Sequence, residues 1–155
     1  MVRIILLASV ATLALATGAR AQCSCATQQV TNSPTGAQNL SLALSGNTVC
    51  VAKGGGGWQN QELHSGGPAS GSLIDYKKGP SDPIDPTSTV GTWSISGTGT
   101  STSVTYSYPS GSTGTYAVCS AQSQPGPGAT IGFCPDNNSS SVITATLLAG
   151  SGPCH

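Results

Sequence analysis

Beyond residue 21 this chain has no arginine, only three lysines (Lys53, Lys77, Lys78), and five acids: Glu62, Asp75, Asp82, Asp85 and Asp136. A formal charge of −2 with so few cations cannot make the basic surface that a phosphate backbone requires. Nucleic-acid binding is excluded on that ground, and so is electrostatic docking to anionic lipid. Large apolar residues are also scarce: Leu, Ile, Val and Phe number 20 among residues 22–155. So low a fraction raises the question of disorder, but the high net charge that accompanies disorder is missing. Gly, Ser and Thr fill the chain instead. No long apolar run follows the first 21 residues, so no membrane span is expected there.

Those 21 residues read as an export signal. Arg3 gives a positive start, Ile4 to Thr17 an apolar run, and Ala19-Arg20-Ala21 the small residues of a cleavage site. The apolar run is 14 residues, short of the roughly 20 that span a hydrocarbon core. Cleavage after Ala21 leaves residues 22–155 as one secreted domain, extracellular or periplasmic.

All six cysteines (Cys23, Cys25, Cys50, Cys119, Cys134, Cys154) follow the signal. In an oxidising compartment they read as three disulfides stapling a thin core. Cys23 and Cys25 are too close in sequence for an unstrained bond to each other, so they reach elsewhere. Cys50, Cys119 and Cys134 each neighbour an apolar strand residue, so their side chains point away from the core. Cys119 and Cys134 flank a Pro/Gly-rich connection and are the favoured pair. Cys154 ties the C-terminus to the N-terminal segment or to Cys50. Cys23-Ser24-Cys25 has the wrong spacing for a zinc knuckle, and no cofactor is implied.

Apolar residues recur with a period of two, the signature of strands. Leu40, Leu42 and Leu44 share a face; so do Val49 and Val51, Trp93 and Ile95, Val104, Tyr106 and Tyr108, Tyr116 and Val118, Ile131 and Phe133, and Ile143, Ala145 and Leu147. No helix stands out. The fold class is all-β: a small antiparallel sandwich or barrel with about three disulfides. Residues 53–89 form a loop-rich insertion with short strands near Gln61–His64 and Leu73–Tyr76. Gly91-Thr92-Trp93 at a strand start resembles small secreted β-barrels, and three residues carry no function across.

The 53–89 segment holds seven of the eight charges beyond residue 21, so a site is sought there. Trp58, Gln59, Asn60, Glu62, His64 and Tyr76 are the candidate binding residues. An aromatic face beside amides suits the C–H face and hydroxyls of a sugar. If Gln59 to His64 is extended, Asn60, Glu62 and His64 share one face. Glu62 and His64 are then weak catalytic candidates as an acid–base pair, set against ordinary surface residues. Asp75, Asp82 and Asp85 are weak calcium candidates without the regular spacing of a calcium loop. Trp93 reads as core.

The function expected is a secreted binding or surface protein acting by contact, with a glycan or other cell-surface component as first ligand. A self-associating matrix protein is the alternative, resting on low charge and uncovered sheet edges. A secreted hydrolase using Glu62 and His64, or an enzyme inhibitor, comes after these. No nucleophile motif supports catalysis.

Overall fold

The computed structural model describes residues 23–33, 39–76, 87–135 and 141–155. The proposed signal, Asp82, Asp85, Lys77 and Lys78 lie outside the described residues. Eight strands close an antiparallel barrel in chain order: β1 (Thr48–Ala52), β2 (Trp58–Gly66), β3 (Ser70–Asp75), β4 (Ser88–Ser96), β5 (Ser103–Ser107), β6 (Thr113–Ser120), β7 (Thr130–Pro135) and β8 (Ile143–Leu148). β8 closes the barrel by pairing with β1, Thr48 opposite Leu148.

The period of two sets which residues fill the barrel. Val49, Leu73, Trp93, Val104, Tyr106, Val118, Ile131, Phe133, Ala145 and Leu147 form one inward cluster. Interiors of eight-stranded barrels are just wide enough for such a filling, or for one small ligand. The strands expected near Gln61–His64 and Leu73–Tyr76 are present as β2 and β3. Residues 53–89 therefore supply two of the eight staves rather than standing apart from the barrel. The glycine run makes the turn between β1 and β2. Gly55, Gly56 and Gly57 all have positive φ (90°, 101° and 81°), a stretch that side-chain-bearing residues would strain.

One segment departs from the strand reading. Residues Asn39–Leu44 form a single helical turn and a half, α1. Leu40 and Leu44, four residues apart, are fully buried, while Leu42 is 73 % exposed. A six-residue helix is marginal alone, and asparagine side chains from just before and just after it hold this one. Asn32 Oδ1 accepts from the N–H groups of Leu40 and Ser41, and Asn47 Nδ2 donates to the carbonyls of Leu42 and Ala43. Period two fits all three leucines, so the sequence pattern favoured the wrong element. α1 plugs the end of the barrel where β1 begins and β2 ends, adding Leu40, Ala43 and Leu44 to the core.

Three disulfides staple this frame: Cys23–Cys119, Cys25–Cys134 and Cys50–Cys154. Cys119 and Cys134 do share the outer face of β6 and β7, but they do not bond to each other. Cys134 stands opposite Ala117, and Cys119 opposite Gly132, so the two cysteines are diagonal neighbours. Each instead takes a cysteine from the N-terminal arm, residues 23–33. Gly132 makes this possible, because a Cβ there would come within 2.9 Å of both Cys119 Sγ and Cys23 Sγ. The Sγ atoms of Cys25, Cys119 and Cys134 lie within 4.8 Å of one another, but all three are in disulfides and offer no thiolate. Cys50 and Cys154 fasten the C-terminal arm to the outside of β1, where the Cys154 N–H donates to Gln61 Oε1 at 2.8 Å.

Closure also removes the premise for edge-to-edge association. Every described strand has two neighbours, so the uncovered sheet edges expected of a matrix protein are not there. Among the described residues no helix is long and apolar enough to cross a membrane.

Candidate functional site

β2 differs from the other staves. Where its neighbours send valine, leucine or aromatic residues inward, it sends Asn60, Glu62 and His64. The sequence reading placed these three on one face, and the structure puts that face inside the barrel rather than on the surface. They line a cavity of about 80 Å³ at the end opposite α1, together with Val49, Val51, Tyr106, Tyr108, Tyr116, Phe133 and Ile143.

His64 forms the floor. It is 1 % exposed and sits edge-on to Trp93 and Tyr106, with ring centroids 5.2 and 5.5 Å away. Burial pulls its pKa down to about 4, so the ring is neutral at physiological pH. Its Nδ1 lies 3.3 Å from the Glu62 carbonyl oxygen, which only accepts, so Nδ1 carries the proton. Nε2 is then the acceptor, and the Tyr106 hydroxyl donates to it at 2.9 Å. Burial likewise pushes the Tyr106 phenol well above its ordinary pKa, so it keeps its proton.

Glu62 forms the wall above. The Tyr108 hydroxyl donates to both carboxylate oxygens, at 3.2 and 3.1 Å, and Asn60 Nδ2 donates to Oε1 at 3.5 Å. Burial raises the Glu62 pKa; the Tyr108 bond works against that, and Asp75, directly across in β3, adds to it. The Tyr108 phenol is in turn pushed upward by burial and by Glu62. Gly91 gives Tyr108 its place: a Cβ there would come within 2.5 Å of the Ser107 carbonyl oxygen and 3.1 Å of the Tyr108 ring. The glycine of Gly91-Thr92-Trp93 is thus a packing requirement of this site.

The candidate residues divide. Glu62 and His64 line the same cavity, but the Glu62 carboxylate bonds to Tyr108 and Asn60 while His64 uses both nitrogens on other groups. The acid–base pair envisaged for a hydrolase is therefore not formed. Trp58 is half-buried at the start of β2 and lines a neighbouring hollow with Gln59 and His155. That hollow measures about 660 Å³ and shares Val51 and Ile143 with the first cavity. Tyr76 lines neither; its backbone N–H donates to the Gln61 carbonyl at 3.0 Å. Of the calcium candidates only Asp75 is described, and it stands opposite Glu62 in β3.

Sequence reasoning missed Tyr106, Tyr108, Tyr116 and Phe133 as site residues, reading all four as members of alternating strands. Their signal was concentration: beyond residue 21 the chain has four tyrosines and one phenylalanine, and all but Tyr76 stand at this cavity. Comparison with family models, curated proteins and solved structures returned no match.

Proposed function

We propose that this protein is a secreted, disulfide-stapled barrel that binds a small ligand in its open mouth. The observation that carries this reading is Glu62, a carboxylate held inside a barrel by a tyrosine and an amide. Burying such a group costs free energy that valine at the same position would avoid. Polar groups retained at a thermodynamic cost in a concave site mark function more often than architecture. The plugged far end and the three disulfides support it further, since they hold the mouth rigid before any ligand arrives. Three disulfides also fit the oxidising compartment that the N-terminal signal implies.

The test is an amide NMR titration of the purified, oxidised protein with a fragment set of cations, anions, neutral apolar molecules and monosaccharides. Shifts at Val51, Asn60, Glu62 and Ile143, with α1 unmoved, are expected for at least one class. No shift from any class at millimolar concentration overturns the reading.

A glycan-binding version rests on a separate observation, the half-buried Trp58 beside Gln59 at the adjoining hollow. It expects monosaccharide-induced shifts at Trp58 that Trp58→Ala abolishes. Monosaccharides that leave Trp58 unmoved retire it.

A further inference from the structure

Resting on the mouth as a binding site, the geometry points to its ligand class: we infer that the cavity receives a small ammonium group, primary or quaternary, carried on an apolar body. Charge sign is the first argument. Among the described residues the lining includes Glu62 and no lysine or arginine, His64 is neutral, and Asp75 stands across from Glu62 in the next strand. An anion would meet a carboxylate and find no cation.

Hydrogen-bond polarity is the second. Both phenolic protons with known destinations are spent inside the wall, Tyr106 on His64 and Tyr108 on Glu62. What those groups still offer are oxygen lone pairs, joined by the carboxylate of Glu62 and the amide oxygen of Asn60. A site rich in acceptors selects a donor, and an ammonium is a charged one.

Ring chemistry is the third. Tyr106, Tyr116 and Phe133 contact one another at centroid distances of 5.9, 6.0 and 6.1 Å and form the wall beside the carboxylate. The negative faces of such rings attract cations, and aromatic cages hold quaternary ammonium groups in this way. A cation here also compensates the carboxylate that the barrel has desolvated. Size completes the case. About 80 Å³ is roughly half the volume of a cavity that holds benzene. It takes a head group, while the rest of the ligand leaves through the mouth past Ile143, which is 42 % exposed.

The experiment compares choline with its uncharged carbon isostere, 3,3-dimethylbutan-1-ol, and n-butylamine with n-butanol, by calorimetry on the oxidised protein at pH 7.5. Each ammonium is expected to bind at least about tenfold more tightly than its isostere. Glu62→Gln should remove most of that preference. Tyr116→Leu, which keeps the carboxylate, should reduce the preference about threefold or more. Equal binding of isostere and ammonium overturns the inference and leaves the mouth a binding site for neutral groups. Binding by neither, with another fragment class shifting the mouth residues, also overturns it while the broader reading stands. If no fragment class shifts those residues, both fall.

Discussion

The two ends of the barrel solve opposite problems. At the closed end, α1 inserts Leu40 and Leu44, and the side chains of Asn32 and Asn47, on either side of it in the chain, satisfy its backbone. At the open end, Glu62, His64 and Tyr108 occupy positions that apolar residues would fill more cheaply. A protein that needed only to fold would finish both ends alike. The contrast teaches that stability is concentrated at one end so that the other can hold groups that cost it.

The largest expected effect is on the arm that links the two ends. Replacing Cys25 and Cys134 by alanine removes a link across 109 residues, and should cost about 3–5 kcal/mol in chemical denaturation. Hydrogen exchange should then speed up first in α1, because Asn32, which caps it, lies on an arm left with Cys23–Cys119 as its one disulfide. Retained protection in α1 would break the view that the arm holds the plug.

The open end should reveal itself through pH. His64 is neutral in the fold with a pKa of about 4, against about 6.5 in the unfolded chain. The unfolded chain therefore binds the extra proton between these values, and stability falls as pH drops from about 6.5 to 4. A shift of this size corresponds to about 3 kcal/mol. Glu62 acts in the opposite sense: its raised pKa gives a contribution present below its unfolded value and lost as pH rises through the folded one. Denaturation midpoints measured from pH 7 to pH 4 should show the loss, and His64→Gln should flatten it. A His64→Gln curve that falls as steeply as wild type would mean that His64 is not buried as described.

Leu44→Ala should cost about 2–3 kcal/mol through the cavity it leaves in the plug, with ligand binding at the mouth unchanged. Gly132→Ala should cost about 1–3 kcal/mol, because its methyl group meets two disulfide sulfurs. Leu42→Ala, at a site 73 % exposed, should stay within about 0.5 kcal/mol of wild type. The Leu44 and Leu42 pair is a direct measure of helix against strand at this segment. Equal losses would restore the strand reading.

Much of the barrel was legible because strand alternation is local. The inward sets of β1, β4, β5, β6, β7 and β8, and the outward direction of Cys50, Cys119 and Cys134, follow from parity. Leu40-Ser41-Leu42-Ala43-Leu44 was misread because its leucines satisfy a strand fully, and what decides for a helix is capping by Asn32 and Asn47, which lie four to nine residues from the backbone groups they satisfy. β2 was under-read for a related reason. Asn60, Glu62 and His64 alternate correctly but are polar, so a hydropathy pattern assigns their face to solvent.

By itself, then, the sequence determined the all-β class, the face on which each strand residue falls, and an architecture dependent on disulfides, since these follow from residue type and spacing along one strand. Only the tertiary structure decided that eight strands close on themselves, that each N-terminal cysteine takes a different strand, and that the polar face of β2 turns inward among four aromatic rings. Those outcomes depend on register between segments up to 109 residues apart, and no local pattern specifies which distant partner will stand opposite a given side chain.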